Sequence, residues 1–213
     1  MLKVHGVNLS PFVRKVRVAL AEKGIEYELD PVVPFNLPEE FLRISPLGKI
    51  PVLREGDFTL PDSSVILSYL EQTHPEVPLY PSDPRERARA LFLEEYADTR
   101  LVESALPVFR ERVVHRRFLK RDCDEDAVQK ALSKSLPPVF DYLESQVTSD
   151  EDGIVGGRFS VADLAIASPF VNLMEGGERV DAKRWPRLAS YLERIHARPS
   201  FKELIAEEAT SLA

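Results

Sequence analysis

The chain has 213 residues, 44% of them hydrophobic, and a formal net charge of -7, a composition that suits a packed globular core divided into one large domain or two small ones. The acidic balance excludes the broad positive field that a phosphate backbone requires, so no nucleic-acid partner is expected. A single cysteine, Cys123, excludes internal disulfides, paired-cysteine redox motifs and cysteine-rich zinc sites.

The four histidines, His5, His74, His115 and His196, show no metal-ligand spacing, so no metal is expected. Lys3 and His5 interrupt any apolar run near Met1, and no stretch approaches the length of a membrane helix. A cytoplasmic protein without a membrane partner is the expectation.

Leu2 to Val7 alternates as a first strand, and Ser10-Pro11 then gives a helix start, with serine as N-cap and proline at the first helical position. The helix is predicted from Pro11 to about Lys23. Phe12, Val13, Val16, Ala19 and Leu20 recur at helical spacing, Arg14, Lys15, Arg17, Glu22 and Lys23 take much of the remaining face, and Gly24 is the stop. Tyr27, Leu29 and Val32-Val33 suggest a second strand. Strand, helix, strand implies a crossover unit with a parallel pair, which sets the N-terminus of the helix at the carboxyl end of the first strand, where such sheets bind ligands.

A short irregular helix is predicted over Phe35 to Leu42, helped by Pro38 and by Glu39-Glu40 near its positive end. Next comes Ser45-Pro46-Leu47-Gly48-Lys49-Ile50-Pro51-Val52-Leu53, a loop leading into a strand whose first residue is proline. Taken alone, these nine residues suit an ordinary trans proline in a surface turn. A cis Ile50-Pro51 bond would instead leave the Ile50 main-chain groups without a ladder partner and open to an extended peptide. Residues 51–54 and 58–60 flank Glu55-Gly56-Asp57 as a hairpin, and Asp62-Ser63-Ser64 caps a helix ending near His74. The predicted order is βαβαββα.

Four prolines, Pro75, Pro78, Pro81 and Pro84, mark a linker over residues 76–84, between a first domain at 1–75 and a second at 85–213. Beyond it the periodicity is helical: Arg85 to about Lys120 with a kink or break at Pro107, Glu125 to Val147, Ser160 to about Met174, Trp185-Pro186 to about Ala197, and Phe201 to Ala209. Phe92 and Tyr96 share one helix face. The stretch from Val161 to Val171 is apolar nearly all round and demands helices on every side, and Ser160 with Asp163 forms a capping box at its start.

The βαβαββα order brings Ser10, Lys49, Ile50, Pro51, Asp62 and Ser63 to one end of the sheet. Ser10 at a helix N-terminus suits a ligand thiolate, or simply an N-cap. Asp62 and Ser63, at another helix start, suit an amino-acid head group or, again, capping. Lys49 is placed to meet a second carboxylate or to lie in solvent.

Together, Ser10-Pro11-Phe12-Val13-Arg14, Pro46-Leu47-Gly48-Lys49-Ile50-Pro51-Val52-Leu53 and Asp62-Ser63-Ser64-Val65-Ile66-Leu67-Ser68-Tyr69-Leu70 resemble the glutathione transferase superfamily, of a serine-type, bacterial-like cytosolic kind. Phe159-Ser160-Val161-Ala162-Asp163-Leu164-Ala165 and Ala197-Arg198-Pro199-Ser200-Phe201-Lys202 are similar to its later motifs, so the match spans the chain. The resemblance implies a thioredoxin-like N-terminal domain followed by a C-terminal helical bundle, a cis bond before Pro51, and a homodimer. It also implies glutathione as co-substrate, activated by Ser10 for attack on a small electrophile. Ile50 would pair with the cysteinyl backbone, and Asp62 with Ser63 would hold the γ-glutamyl end. Ser10 stands where some relatives carry cysteine, which argues against a mixed-disulfide mechanism. His5 stands near where many carry tyrosine, which argues against tyrosine activation.

Peroxidase and isomerase activities are compatible with the same resemblance. The alternative is a non-catalytic protein of this fold that binds a transcription partner, similar to stringent starvation protein A. The run Arg110, Arg112, Arg116, Arg117, Lys120 and Arg121 suits either an anionic co-substrate or a solvated helix end.

Overall fold

The computed structural model describes residues 1–212. The chain divides into two compact units: residues 1–80 together with the helix that begins at Pro199, and Pro81–Arg198.

The first unit is built on a four-stranded sheet in the order β2-β1-β3-β4. Strands β1 (Leu2–His5) and β2 (Tyr27–Asp30) are parallel, as their connection through α1 (Pro11–Glu22) requires. Strands β3 (Val52–Glu55) and β4 (Phe58–Pro61) add antiparallel neighbours. Gly56, at φ +60°, supplies the left-handed residue of the β3–β4 turn. Helix α2 (Glu39–Ile44) starts later than its composition suggests, with Pro38 at the N-cap, and α3 (Ser63–Thr73) follows the hairpin. The expected thioredoxin-like βαβαββα order is present.

The charged face of α1 is not left to solvent. Arg14, Lys15 and Arg17 are buried, and the two arginines are covered by α10 (Pro199–Leu212), which lies antiparallel along α1. Ser200 donates to Glu22 at 2.5 Å at one end, and Asn8 donates to Ser211 at 3.1 Å at the other. Between them Arg14 grips Glu208 through Nε and Nη2, with neither side chain exposed at all. Arg17 reaches Glu207 at 2.7 Å and the Tyr27 hydroxyl at 2.6 Å. The sequence placed α10 in the helical domain; the structure groups it with the first unit, because buried guanidinium groups need carboxylate partners and α10 carries them.

The second unit is helical throughout. From α4 (Pro84–Tyr96) through α5 (Val102–Phe109) the chain stays helical to Phe118. No break occurs at Pro107, which lies inside α5; π geometry flanks that segment at Ala97–Leu101 and Arg110–Phe118. Helices α6 (Glu125–Lys130) and α7 (Leu136–Gln146) are joined by another π segment, Ala131–Ser135. At the centre, α8 (Val161–Glu175) is buried from Val161 to Leu173, and α9 (Pro186–His196) packs on it.

The start of α8 is fixed by the Asp163 carboxylate. It accepts from the Ser160 N–H at 2.8 Å, the Ser160 hydroxyl at 3.0 Å, the Ile154 N–H at 2.9 Å and the Tyr191 hydroxyl at 2.7 Å. Burial outweighs these bonds and raises the Asp163 carboxyl from 3.8 to about 6. Burial and the facing carboxylate push the Tyr191 phenol well above its ordinary value.

Candidate functional site

Strand register decides which loops meet. Asp30 pairs with His5, His5 with Val52, and Val52 with Pro61, so four residues form one row across the sheet. Immediately beyond that row the chain leads forward from β1 to Ser10, back from β3 to Pro51, Ile50 and Lys49, and forward from β4 to Asp62 and Ser63. The sequence-predicted residues therefore lie on three loops that leave the sheet at one end.

Ser10 is the N-cap of α1, as expected. Its extended backbone, φ -77° and ψ 126°, turns the hydroxyl oxygen to accept from the Val13 N–H at 3.4 Å. An accepting hydroxyl keeps its own proton for a further acceptor, and the half-exposed side chain sits at the positive end of a twelve-residue helix. Gly6 stands close behind: a Cβ there would lie 2.5 Å from the Val13 side chain and 3.5 Å from that of Ile50. Only glycine lets α1 and the Ile50 loop approach so closely.

The Ile50-Pro51 bond is cis. Ile50 is buried and its main chain lies outside the β-ladder, which begins at Val52. Lys49 is exposed. Asp62 caps α3, its Oδ1 accepting from Ser64 N–H at 3.0 Å and Val65 N–H at 3.2 Å. It does so at φ +79° and ψ 126°, a conformation that a non-glycine residue adopts only where its surroundings dictate it. The carboxylate that the sequence offers for a head group or for capping is therefore the one that caps α3. Ser63, the first residue of α3, is buried, and Lys15 of α1 reaches Ser64 at 3.1 Å.

Two buried neighbours of these loops were not among the candidate site residues. His5, also buried, places Nδ1 2.7 Å from Asp30 Oδ2, while its Nε2 is buried without a partner. Its ring meets that of Phe41 edge-on, with centroids 6.4 Å apart. Ser45, the C-cap of α2, is buried and bonds to both main-chain groups of Lys49. A serine before Pro-x-Gly was the available signal for it.

Two members of the basic run form ion pairs within their own unit. Arg110 pairs with Glu111 at 2.9 Å, and Arg112 with Glu178 at 2.6 Å and Glu125 at 3.2 Å. Burial and the Glu125 carboxylate push the Cys123 thiol up, so it is no ready nucleophile. Among the described residues no group of three or more His, Cys, Asp or Glu could hold a metal ion, and no helix is long and apolar enough to cross a membrane.

A family model for the glutathione S-transferase N-terminal domain matches residues 4–78, and one for the glutathione S-transferase C-terminal domain matches residues 109–208. The chain belongs to the glutathione S-transferase family. Glutathione S-transferase Z2 of Arabidopsis thaliana is 28% identical over 214 residues, covering 97% of this chain and 92% of the relative. FtsZ-localized protein A of Caulobacter vibrioides is 28% identical over 99% of this chain and 93% of its own length. A crystal structure of a glutathione S-transferase from Rhodospirillum rubrum superposes with a TM-score of 0.86 at 28% identity, covering 96% of this chain and 91% of that one. The family brings glutathione as the expected substrate, and every loop described above falls inside the N-terminal match.

Proposed function

We propose that the protein is a glutathione transferase that activates the thiol of glutathione with Ser10 for attack on a small electrophile. The observation that carries this reading is the row Asp30, His5, Val52 and Pro61, beyond which the α1 N-terminus, the Lys49-Ile50-Pro51 loop and the α3 N-terminus leave the sheet at one end. Ile50 would pair its main chain with the cysteinyl unit as an added strand. The Asp62 and Ser63 helix start would take the γ-glutamyl ammonium and carboxylate, and the exposed Lys49 the far carboxylate.

Ser10 favours the thiolate by donating the hydroxyl proton that its bond to Val13 leaves free. A thiol titrates near ~8.5, and lowering it by about two units corresponds to roughly 2.7 kcal/mol of preference for the anion. One hydrogen bond to a charged sulfur contributes about 1.5 to 3 kcal/mol. The Ser10→Ala variant is expected to bind glutathione as the parent does while its pH-rate profile moves upward and conjugation slows. A profile that stays in place in this variant would return Ser10 to the role of helix cap.

Exposed Phe58 and Val65 in the first unit, and Leu91 and Phe92 in the second, supply apolar surface for a two-fold homodimer; sedimentation as a monomer at working concentration would refute it. The cytoplasm is the proposed compartment.

The likeness to FtsZ-localized protein A favours a second reading. In it the chain keeps the fold and binds a protein partner, for which the sequence suggested a transcription component, without turnover. Retention on immobilised glutathione followed by an electrophile, peroxide and isomerase panel separates the two. Binding with turnover supports the enzyme, and absence of both supports the second reading.

A further inference from the structure

The loop that presents Lys49 and Ile50 is closed by one buried hydroxyl. Ser45 is 1% exposed, and its Oγ donates to the Lys49 carbonyl at 2.7 Å while accepting from the Lys49 N–H at 3.2 Å. Its own main chain is equally engaged: the Ser45 N–H donates to the Phe41 carbonyl, and its carbonyl accepts from the Gly48 N–H, each at 2.8 Å. Gly48, at φ +62°, is the left-handed residue that turns the chain back on itself. The ring so formed takes both main-chain groups of Lys49 inward, which leaves its ammonium as the group turned to solvent and sets Ile50 beside Gly6.

The ring also rests on the sheet. Phe41, one helical turn before Ser45, packs edge-on against His5, and His5 is held by Asp30 at 2.7 Å. A run of contacts therefore leads from the row of paired strand residues, through α2, to the loop.

A hydroxyl is suited to this position because one atom both donates and accepts. Alanine does neither, and would leave the Lys49 N–H and C=O to find other partners by turning the loop. We propose that Ser45 is a positioning residue for glutathione affinity: it presets Lys49 and Ile50 in the geometry that receives the tripeptide, taking no part at the sulfur. The assignment rests on the glutathione reading above.

The test compares the parent, Ser45→Ala and Ser45→Thr by calorimetry with glutathione, steady-state kinetics on one electrophile, and amide exchange at Lys49. Ser45→Ala is expected to raise the glutathione Kd and KM by about tenfold, the scale of one lost hydrogen bond, with kcat at saturation and the pH-rate profile unchanged. The Lys49 amide should lose its protection in that variant and keep it in Ser45→Thr, whose retained hydroxyl should hold the Kd within about twofold of the parent. If Ser45→Ala does not fold, Ser45→Cys, a weaker donor and acceptor, should give an intermediate Kd. A variant without the hydroxyl that binds glutathione like the parent, or that lowers kcat and leaves KM alone, overturns the assignment. A parent that takes up no glutathione overturns the glutathione reading itself and Ser45's role with it, an outcome the parent alone reports.

Discussion

Helices α1 and α8 are both buried over most of their length, yet they are buried by different means. In α8 thirteen consecutive residues, Val161 to Leu173, are buried, and most are apolar, so neighbouring helices cover it by ordinary hydrophobic packing. The one acidic side chain of that buried run, Asp163, sits near its start and is answered by groups from nearby loops and α9. In α1 the buried set from Val13 to Leu20 includes the two arginines Arg14 and Arg17, whose covering needs specific opposite charges. Those arrive from the far end of the chain. The difference teaches that an apolar helix can be buried by any suitable neighbour, whereas a charged one can be buried only by its complement.

The largest expected effect breaks the charged seam. Glu208→Ala leaves Arg14 buried without its bidentate partner and should destabilise the first unit by about 3–5 kcal/mol, read by urea unfolding. Replacing both by leucine removes the desolvation penalty along with the attraction, and should recover most of that loss. If the single substitution costs no more than a surface change, the seam is packing alone and the contrast with α8 fails.

The next effect tests the buried carboxyl of α8 through pH. The Asp163 carboxyl is raised by burial from 3.8 to about 6, so the folded state holds its proton more tightly than the unfolded state does. The stability this linkage contributes is fully present below pH ~4 and lost as pH rises through ~6, a change of roughly 3 kcal/mol. Asp163→Asn does not titrate, so the stability difference between parent and variant should fall by that amount over the interval. A difference independent of pH would mean that the four hydrogen bonds cancel the burial.

A smaller effect follows at Tyr191, whose hydroxyl bonds Asp163 at 2.7 Å. Tyr191→Phe should cost about 2 kcal/mol and move the Asp163 transition to higher pH, because that bond is among those holding the carboxyl down. Thermal unfolding at several pH values reads both. The smallest effect belongs to the end of α10. Ser211→Ala removes an exposed bond to Asn8 and should change stability by less than ~0.5 kcal/mol. A larger loss would shift the hold on α10 from its buried centre to its tip.

The sequence by itself determined the local choices. Ser10-Pro11 starts α1 and Asp62 starts α3, because their side chains or rings satisfy a helix end without help from elsewhere. Gly56 makes the β3–β4 turn, and the apolar run after Val161 demands a central helix. The arrival of the six candidate residues at one sheet end was also legible, since strand and helix order alone sends their loops there. Tertiary structure decided the rest. The sequence marks the charged side of α1 but not what covers it: Glu207 and Glu208 pair with its arginines, and a pair about 190 residues apart leaves no periodic trace in the chain. The serine at position 45 reads as a turn residue until its hydroxyl is found bonded to both sides of Lys49. Pro107 reads as a kink or break, yet the helix continues through it to Phe118. Periodicity records which face is apolar; which polar group meets its complement is fixed only when distant segments pack.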